Sequence, residues 1–195
     1  MTYRTQSIEG FLSAVASERV APAGGSVSAI VGAAGAALCE MVCIHTVNRK
    51  GAESARELAE IGDGLRQRRD GLLALADGDA AAMEALLGLE EDDPGLREAK
   101  RATGVPLAVA EGCLEVVEVA IVVAERGNPN AAPDAVTGAL LADAALRAST
   151  ETVRSNLDGV DDEAFVGEIR RRAAAAERDA ESAIDRLPDA GQRQS

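Results

Sequence analysis

Pro22-Ala23-Gly24-Gly25-Ser26-Val27-Ser28, running on into Ala29-Ile30-Val31-Gly32-Ala33-Ala34-Gly35-Ala36-Ala37-Leu38, is the stretch that decides the fold. From Ser26 to about Asn48 the chain reads as one long helix, with Ser26 as its N-cap. Gly32 and Gly35 among alanines let another backbone approach closely, so the helix is expected to be central and buried. The glycine-rich turn sets flexible backbone at the mouth of a helix N-terminus. Its unpaired N–H groups and partial positive charge suit an anionic or polar ligand group. The same glycines could instead simply end one helix and start the next. There is no Gly-Lys-Ser/Thr, so this is not a phosphate-binding loop, and no strand precedes it as a dinucleotide fingerprint requires.

Helical periodicity continues outward from that stretch. Ser7 caps a short helix through Phe11, Leu12 and Val15. Leu58, Ile61, Leu65, Leu72 and Ala76 form the stripe of a third helix, which Asp77-Gly78-Asp79 is expected to interrupt or kink. A short helix is expected from Pro94, carrying Lys100 and Arg101, and another from Thr103-Gly104-Val105-Pro106 to Arg126. Arg126-Gly127-Asn128-Pro129-Asn130-Ala131-Ala132-Pro133-Asp134 is a second ordered loop, with Asp134 read as the cap of a helix reaching Asn156. A last helix from near Asp161 carries Phe165, Ile169, Ala173, Ala176, Ala180, Ile184 and Leu187 on one face, and the tail after about 188 is expected to fray. No strand pattern, repeat or linker interrupts this, so the expected fold is a single all-α helical bundle spanning 1–195.

Composition narrows the function. The chain is 47% hydrophobic but 2% aromatic, so its core is built of small side chains that bury little area each. A homodimer is expected, because a partner buries more. A net charge of -13, with Lys50 and Lys100 as the only lysines, argues against a nucleic-acid-binding face. The acidity suggests a high-salt cytoplasm, where salt screens carboxylate repulsion; an ordinary acidic bacterial protein is the alternative. The N-terminus has no apolar leader segment, and the apolar stretch Val27–Val47 is broken by Glu40 and His45, so a cytoplasmic protein without a membrane span is expected. Cys39, Cys43 and Cys113 read as buried thiols rather than disulfides or metal ligands. A single histidine leaves no ligand set for a catalytic zinc and no Ser–His or Cys–His pair away from His45. What remains is carboxylate chemistry at Asp77, Asp79 and Asp134, each of which could equally be a helix cap.

Four blocks in order resemble the formiminotetrahydrofolate cyclodeaminase family. They are Pro22–Ala29 with the Ala/Gly helix and Met41-Val42, Asp77-Gly78-Asp79-Ala80, Val105-Pro106-Leu107, and Gly127-Asn128 with Asp134 and Asn156. Ala23 stands where the family usually has a glycine, and Pro133, Met83 and Thr152 also depart from its pattern. The resemblance implies an all-α homodimer binding a tetrahydrofolate derivative in a cleft near the subunit interface, with no metal or redox cofactor. The implied reaction is closure of 5-formiminotetrahydrofolate to 5,10-methenyltetrahydrofolate with loss of ammonia; some standalone relatives are methenyltetrahydrofolate cyclohydrolases. Asp79 and Asp134 would be the proton-handling or pterin-anchoring carboxylates. Pro22, Gly24, Gly25, Ser26, Asn128 and Asn156 would place the substrate, and Arg49, Lys50, Lys100 and Arg101 would meet the glutamate tail. A non-catalytic acidic adaptor bundle is the rival reading; it predicts that the glycine loop, Asp79, Asn128 and Asp134 do not converge. The charge balance yields a first prediction: the melting temperature should fall from molar salt to dilute buffer, and an unchanged value would refute a salt-adapted surface.

Overall fold

The computed structural model describes residues 2–48, 52–88 and 95–188. Among the described residues, a 3-10 turn over Tyr3–Thr5 precedes six helices: α1 Ile8–Val15, α2 Gly24–Val47, α3 Ala52–Leu87, α4 Leu96–Arg126, α5 Ala132–Leu157 and α6 Glu163–Ile184. The described residues hold no strand, as the periodicity predicts. α2, α3, α4 and α5 form a ring in which each helix packs on the next, and α6 lies against α4 and α5. Consecutive long helices run antiparallel. Gly25 of α2 meets Asp79 late in α3, whereas Gly62, early in α3, meets Cys43 near the end of α2.

Small residues set the helix spacing. A Cβ on Gly35 would fall 2.5 Å from the Gly138 carbonyl oxygen, and one on Gly138 would fall 2.7 Å from the Gly35 oxygen. α2 and α5 therefore cross with backbone against backbone. One turn earlier, Gly32 leaves room for the Cys113 thiol of α4. Burial pushes the Cys39 and Cys113 thiols up to about 12 and Cys43 to about 11, so all three are inert apolar filling, as expected. The α3 stripe of Leu58, Leu65, Leu72 and Ala76 is buried, and so is the α6 stripe of Ile169, Ala173, Ala176 and Ala180. Glu40 is buried on α2, and Arg66 and Arg69 of α3 grip its two oxygens at 2.9 and 2.6 Å.

Two expected breaks are absent. Asp77-Gly78-Asp79 lies inside continuous α3, and Val105-Pro106 lies inside continuous α4. A proline within a helix leaves the carbonyl four residues earlier without its N–H. Here that carbonyl belongs to Ala102, and Asn156 Nδ2 of α5 donates to it at 2.8 Å. The proline is thus tolerated because a neighbouring helix supplies the missing donor. The expected helix start at Pro94 lies outside the described residues.

α2 is long and apolar enough to cross a membrane by composition, yet more than half of its most apolar window is buried inside the bundle. Its outer face is apolar too: Val27, Ile30, Leu38 and Met41 are half-buried, and Ala34 and Ile44 are exposed. Gly35→Val should force α2 from α5 and cost roughly 1–3 kcal/mol or more. Gly71→Ala, where a new methyl meets nothing within 4 Å, should gain roughly 0.5–1 kcal/mol from helix propensity. Urea midpoints at constant slope check both.

Candidate functional site

The first turn of α2 has no cap of its own kind. Its N-cap is Ala23, whose side chain accepts nothing, and Ser26 sits inside the helix rather than capping it as expected. The missing acceptor comes from α3. Ser26 Oγ donates to Asp79 Oδ2 at 2.8 Å, and the Ser26 backbone N–H also points to this carboxylate. Asp79 thereby serves the α2 N-terminus across space, not the start of a resumed helix of its own. Gly25 is obligatory for this contact, because any Cβ there would run into the Asp79 carboxylate. Gly24 beside it is open to its surroundings, and Pro22 is buried at the turn.

Asp79 is 4% exposed. Burial pushes its carboxyl above the usual carboxylate range, and the hydrogen bonds from Ser26 offset only part of that rise. A buried carboxyl with a raised affinity for protons holds its proton to higher pH than a surface aspartate does.

Beside it lies a cavity of 560 Å³, lined by Tyr3, Glu18, Arg19, Pro22, Asp77 and Glu84 among others. Asp77 ties the N-terminal segment to this rim: Tyr3 N–H donates to its Oδ1 at 2.7 Å and Thr2 Oγ1 to its Oδ2 at 2.8 Å. The Tyr3 ring stands edge-on to Phe11, centroids 5.3 Å apart. Sequence reading passed over Tyr3. The available signal was that it is the one tyrosine in a chain with 2% aromatic residues. A second cavity, between α3 and α4, is mostly apolar, and its charged pair, Arg68 and Glu115, is joined in an ion pair.

The remaining candidates separate. Asn128 and Asp134 lie at the opposite end of α2, where Asn128 N–H donates to Thr46 Oγ1 at 2.7 Å and Asn128 Oδ1 accepts from Asn130 N–H. Gly25 touches Asp79 and Cys39 touches Ala135. At about 1.5 Å per residue, Asp134 is roughly 20 Å and Asn128 roughly 30 Å from Asp79 along the helix. Within one protomer, therefore, Asp134 does not join Asp79, and the two loops do not form one site. Nor does Asp134 cap α5: the N-cap is Ala131, and Asp134 is an exposed residue of the first turn. Asn156 is occupied at Ala102. Lys100 pairs with Asp162 at 2.6 Å and lies over the Phe165 ring, so it is engaged rather than free for a ligand. Arg101 is exposed on the same first turns of α4, and Arg49 and Lys50 lie outside the described residues.

Comparison with known proteins places this geometry. The profile of the formiminotransferase-cyclodeaminase family matches residues 7–175. The chain is 37% identical over 179 residues to the methenyltetrahydrofolate cyclohydrolase of Methylorubrum extorquens, covering 84% of this chain and 85% of that one. It is 30% identical over 194 residues to the formimidoyltransferase-cyclodeaminase of Sus scrofa, covering 91% of this chain but 36% of that longer protein. The crystal structure of formiminotetrahydrofolate cyclodeaminase from Thermotoga maritima superposes with a TM-score of 0.90, at 29% identity and 94% coverage of both chains.

Asp79 also sets a pH signature. Its folded carboxyl binds a proton more tightly than the unfolded chain does. The stability it contributes is therefore present at low pH and is lost as pH rises through its folded pKa. Asp79→Asn removes the buried charge and keeps an oxygen for Ser26. It should melt at or above wild type at pH 8, with the advantage shrinking toward pH 4. A simple helix cap would instead lose about 1 kcal/mol.

Proposed function

The chain belongs to the formiminotransferase-cyclodeaminase family, and from that premise we propose that it is a folate one-carbon enzyme acting at the carbon bridging N5 and N10. Of its two candidate reactions we favour methenyltetrahydrofolate cyclohydrolase. The support is the 37% identity to an enzyme of that name, spanning most of both chains. In this reaction water adds to the cationic methenyl carbon and gives up a proton. The N5–carbon bond of the tetrahedral adduct then breaks as N5 takes a proton, leaving the formyl group on N10. The cyclodeaminase reading has its own support in the Thermotoga maritima structure of that name. There N10 is the nucleophile and ammonia leaves the same carbon.

Both reactions need one group that accepts a proton during attack and returns one during cleavage. The observation that carries the proposal is the buried Asp79 carboxyl with raised proton affinity, hydrogen-bonded to Ser26 and next in sequence to Ala80 and Ala81, which line the cavity with Pro22 and Asp77. Gly24 and Gly25 let a flat ligand approach the α2 N-terminus. Glu18 and Glu84 on the rim present acceptors that suit the N–H edge of a pterin.

The wide separation of Asp79 from Asn128 and Asp134 supports a two-fold dimer. Two copies pairing antiparallel through the outer apolar faces of α2 would bring the partner's Asn128–Asp134 loop alongside this chain's Ser26 and Asp79. The occupant of that face is then a second copy, and each site takes residues from both chains.

Following methenyltetrahydrofolate absorbance with each substrate offered separately decides the activity. Asp79→Asn should lower turnover roughly 10²–10⁴-fold. For a shared site, Asp79→Asn and Asp134→Asn are each inactive alone. Mixing the two chains restores about a quarter of wild-type turnover, because half of the dimers are mixed and each has one intact site. No recovery on mixing would place the site within one protomer, and no turnover of any reduced folate by wild type would overturn the enzyme reading.

A further inference from the structure

Among the described residues, two buried side-chain atoms lack a hydrogen-bond partner: Ser149 Oγ and Gln6 Oε1. Ser149 is wholly enclosed on α5 and borders neither cavity described above. Gln6 lines the 560 Å³ cavity at the glycine turn. Its backbone is held while its amide is not. Gln6 N–H donates to the Tyr3 carbonyl at 3.2 Å, and the turn that carries it is clipped to α3 by Asp77, which takes Tyr3 N–H and Thr2 Oγ1. Arg4 adds a bond to the Asp70 carbonyl, and on the other side Ser7 caps α1 by accepting from Gly10 N–H at 3.0 Å. Thr2, Tyr3, Arg4 and Ser7 all have partners, and the Gln6 side chain among them has none. An acceptor unpaired away from water costs stability, and buried polar groups in native chains nearly always find a partner. A ligand in the cavity supplies one.

A primary amide carries an acceptor and a donor side by side. Its complement is a ring edge with an N–H next to a C=O, as in a lactam. The rest of the wall is rich in acceptors, with Glu18, Asp77 and Glu84 against one cation, Arg19. Thr2 and Tyr3 occupy the Asp77 oxygens, but Glu18 and Glu84 have no hydrogen-bond or ion-pair partner among the described residues. A flat ring that satisfies this wall presents a lactam at one point and a further N–H group beside it. The 2-amino-4-oxo ring of a pterin has that pattern along one edge.

Resting on the proposed folate chemistry, we propose that Gln6 is a specificity-determining residue that reads the lactam edge of the pterin. Its Nε2 donates to the 4-oxo oxygen and its Oε1 accepts from N3–H. The 2-amino group next to N3 falls to the carboxylate of Glu18 or Glu84. The terminal torsion of a glutamine is broad, and this one has no protein bond to break, so the amide turns its oxygen to the ring without moving the backbone. The reaction leaves this edge of the pterin untouched. Gln6 therefore contributes to binding and to the choice of ring, not to proton transfer.

The test uses full-length wild type, Gln6→Leu and Gln6→Glu. Each is melted, and each is titrated by calorimetry with folic acid and with its 4-amino counterpart, aminopterin. Gln6→Leu keeps the bulk of the side chain, removes the orphaned acceptor and breaks no bond within the protein. Its Tm should match or exceed that of wild type, while its affinity for folic acid falls roughly 10–100-fold for the loss of two hydrogen bonds. KM for methenyltetrahydrofolate should rise by a similar factor, with a much smaller change in kcat. Gln6→Glu offers acceptors only. It should lose folic acid but hold aminopterin, whose 4-amino group is a donor, so the ring preference reverses. Unchanged folic acid affinity in Gln6→Leu, a Tm that drops with the affinity, or an unaltered ring preference in Gln6→Glu would each overturn the assignment. The folate reaction is judged separately. Turnover of a reduced folate with binding indifferent to Gln6 overturns the lactam contact alone. Folic acid binding that depends on Gln6, in a chain that turns over no reduced folate, upholds the contact and rejects the reaction. Absence of both binding and turnover overturns both.

Discussion

The backbone-to-backbone crossing of α2 and α5 at Gly35 and Gly138 is the constraint on which the rest of the structure hangs. With so few large side chains, this protein cannot fill wide gaps between helices. It removes the gaps instead. Once α2 is drawn against α5, the Cys113 thiol fits over Gly32, Leu72 reaches the same layer from α3, and the ring closes around alanine and valine. The same closeness fixes the height of α2 relative to α3, and that sets Asp79 level with Ser26. A shift of one helical turn, about 5.4 Å, would separate a pair held at 2.8 Å. Core packing in the middle of the bundle is therefore what positions the chemistry at its end.

That end tolerates features the core would not. Pro106 leaves the Ala102 carbonyl without a helical donor, and Asn156 replaces it from α5. α2 starts without a side-chain cap, and Asp79 replaces it from α3. In both cases a local defect in one helix is answered by a polar side chain of another, which stitches α2 to α3 and α4 to α5 where apolar packing thins out. Asp79 differs from Asn156 in being ionisable. Asn156 can only donate to its carbonyl, whereas Asp79 sits where burial raises its proton affinity against the pull of Ser26. A neutral amide would answer the α2 N-terminus without burying charge. A carboxyl there, in place of a neutral amide, is the feature on which the proposed proton-transfer role rests.

Much of the fold was legible from periodicity. The α3 and α6 stripes, the buried thiols and the long Ala/Gly helix follow from spacing and side-chain size, which act locally. The boundaries that went wrong were those decided by distant residues. Nothing near Pro106 announces Asn156, 50 positions later, and nothing near Asp79 announces that its partner is Ser26 rather than its own helix. At the site, Gly25, Ser26 and Asp79 were legible as motif residues and do meet. Tyr3 was not, because it reaches the site through an Asp77 contact that only the folded chain creates. Lys100 and Asn156 were named for a ligand and turn out to be held by Asp162, Phe165 and Ala102, since a polar residue at a helix crossing finds a protein partner first.

The placement of the two loops also constrains how this molecule can work. α2 has a glycine mouth at one end and the Asn128–Asp134 turn beside the other, with an apolar outer face between them. Ala34 and Ile44 are exposed there, and Val27, Ile30, Leu38 and Met41 keep part of their apolar surface outward even though Ile30 and Met41 also pack on the protomer's own core, in a chain otherwise rich in carboxylates to place there. The two-fold pairing proposed above would cover the apolar stripe and, with the two copies of α2 antiparallel, would set one end of the helix beside the other end of its partner. In that arrangement a rigid core spaced by glycine would do more than hold one protomer together: it would fix the register at which a second copy docks for the two loops to face each other.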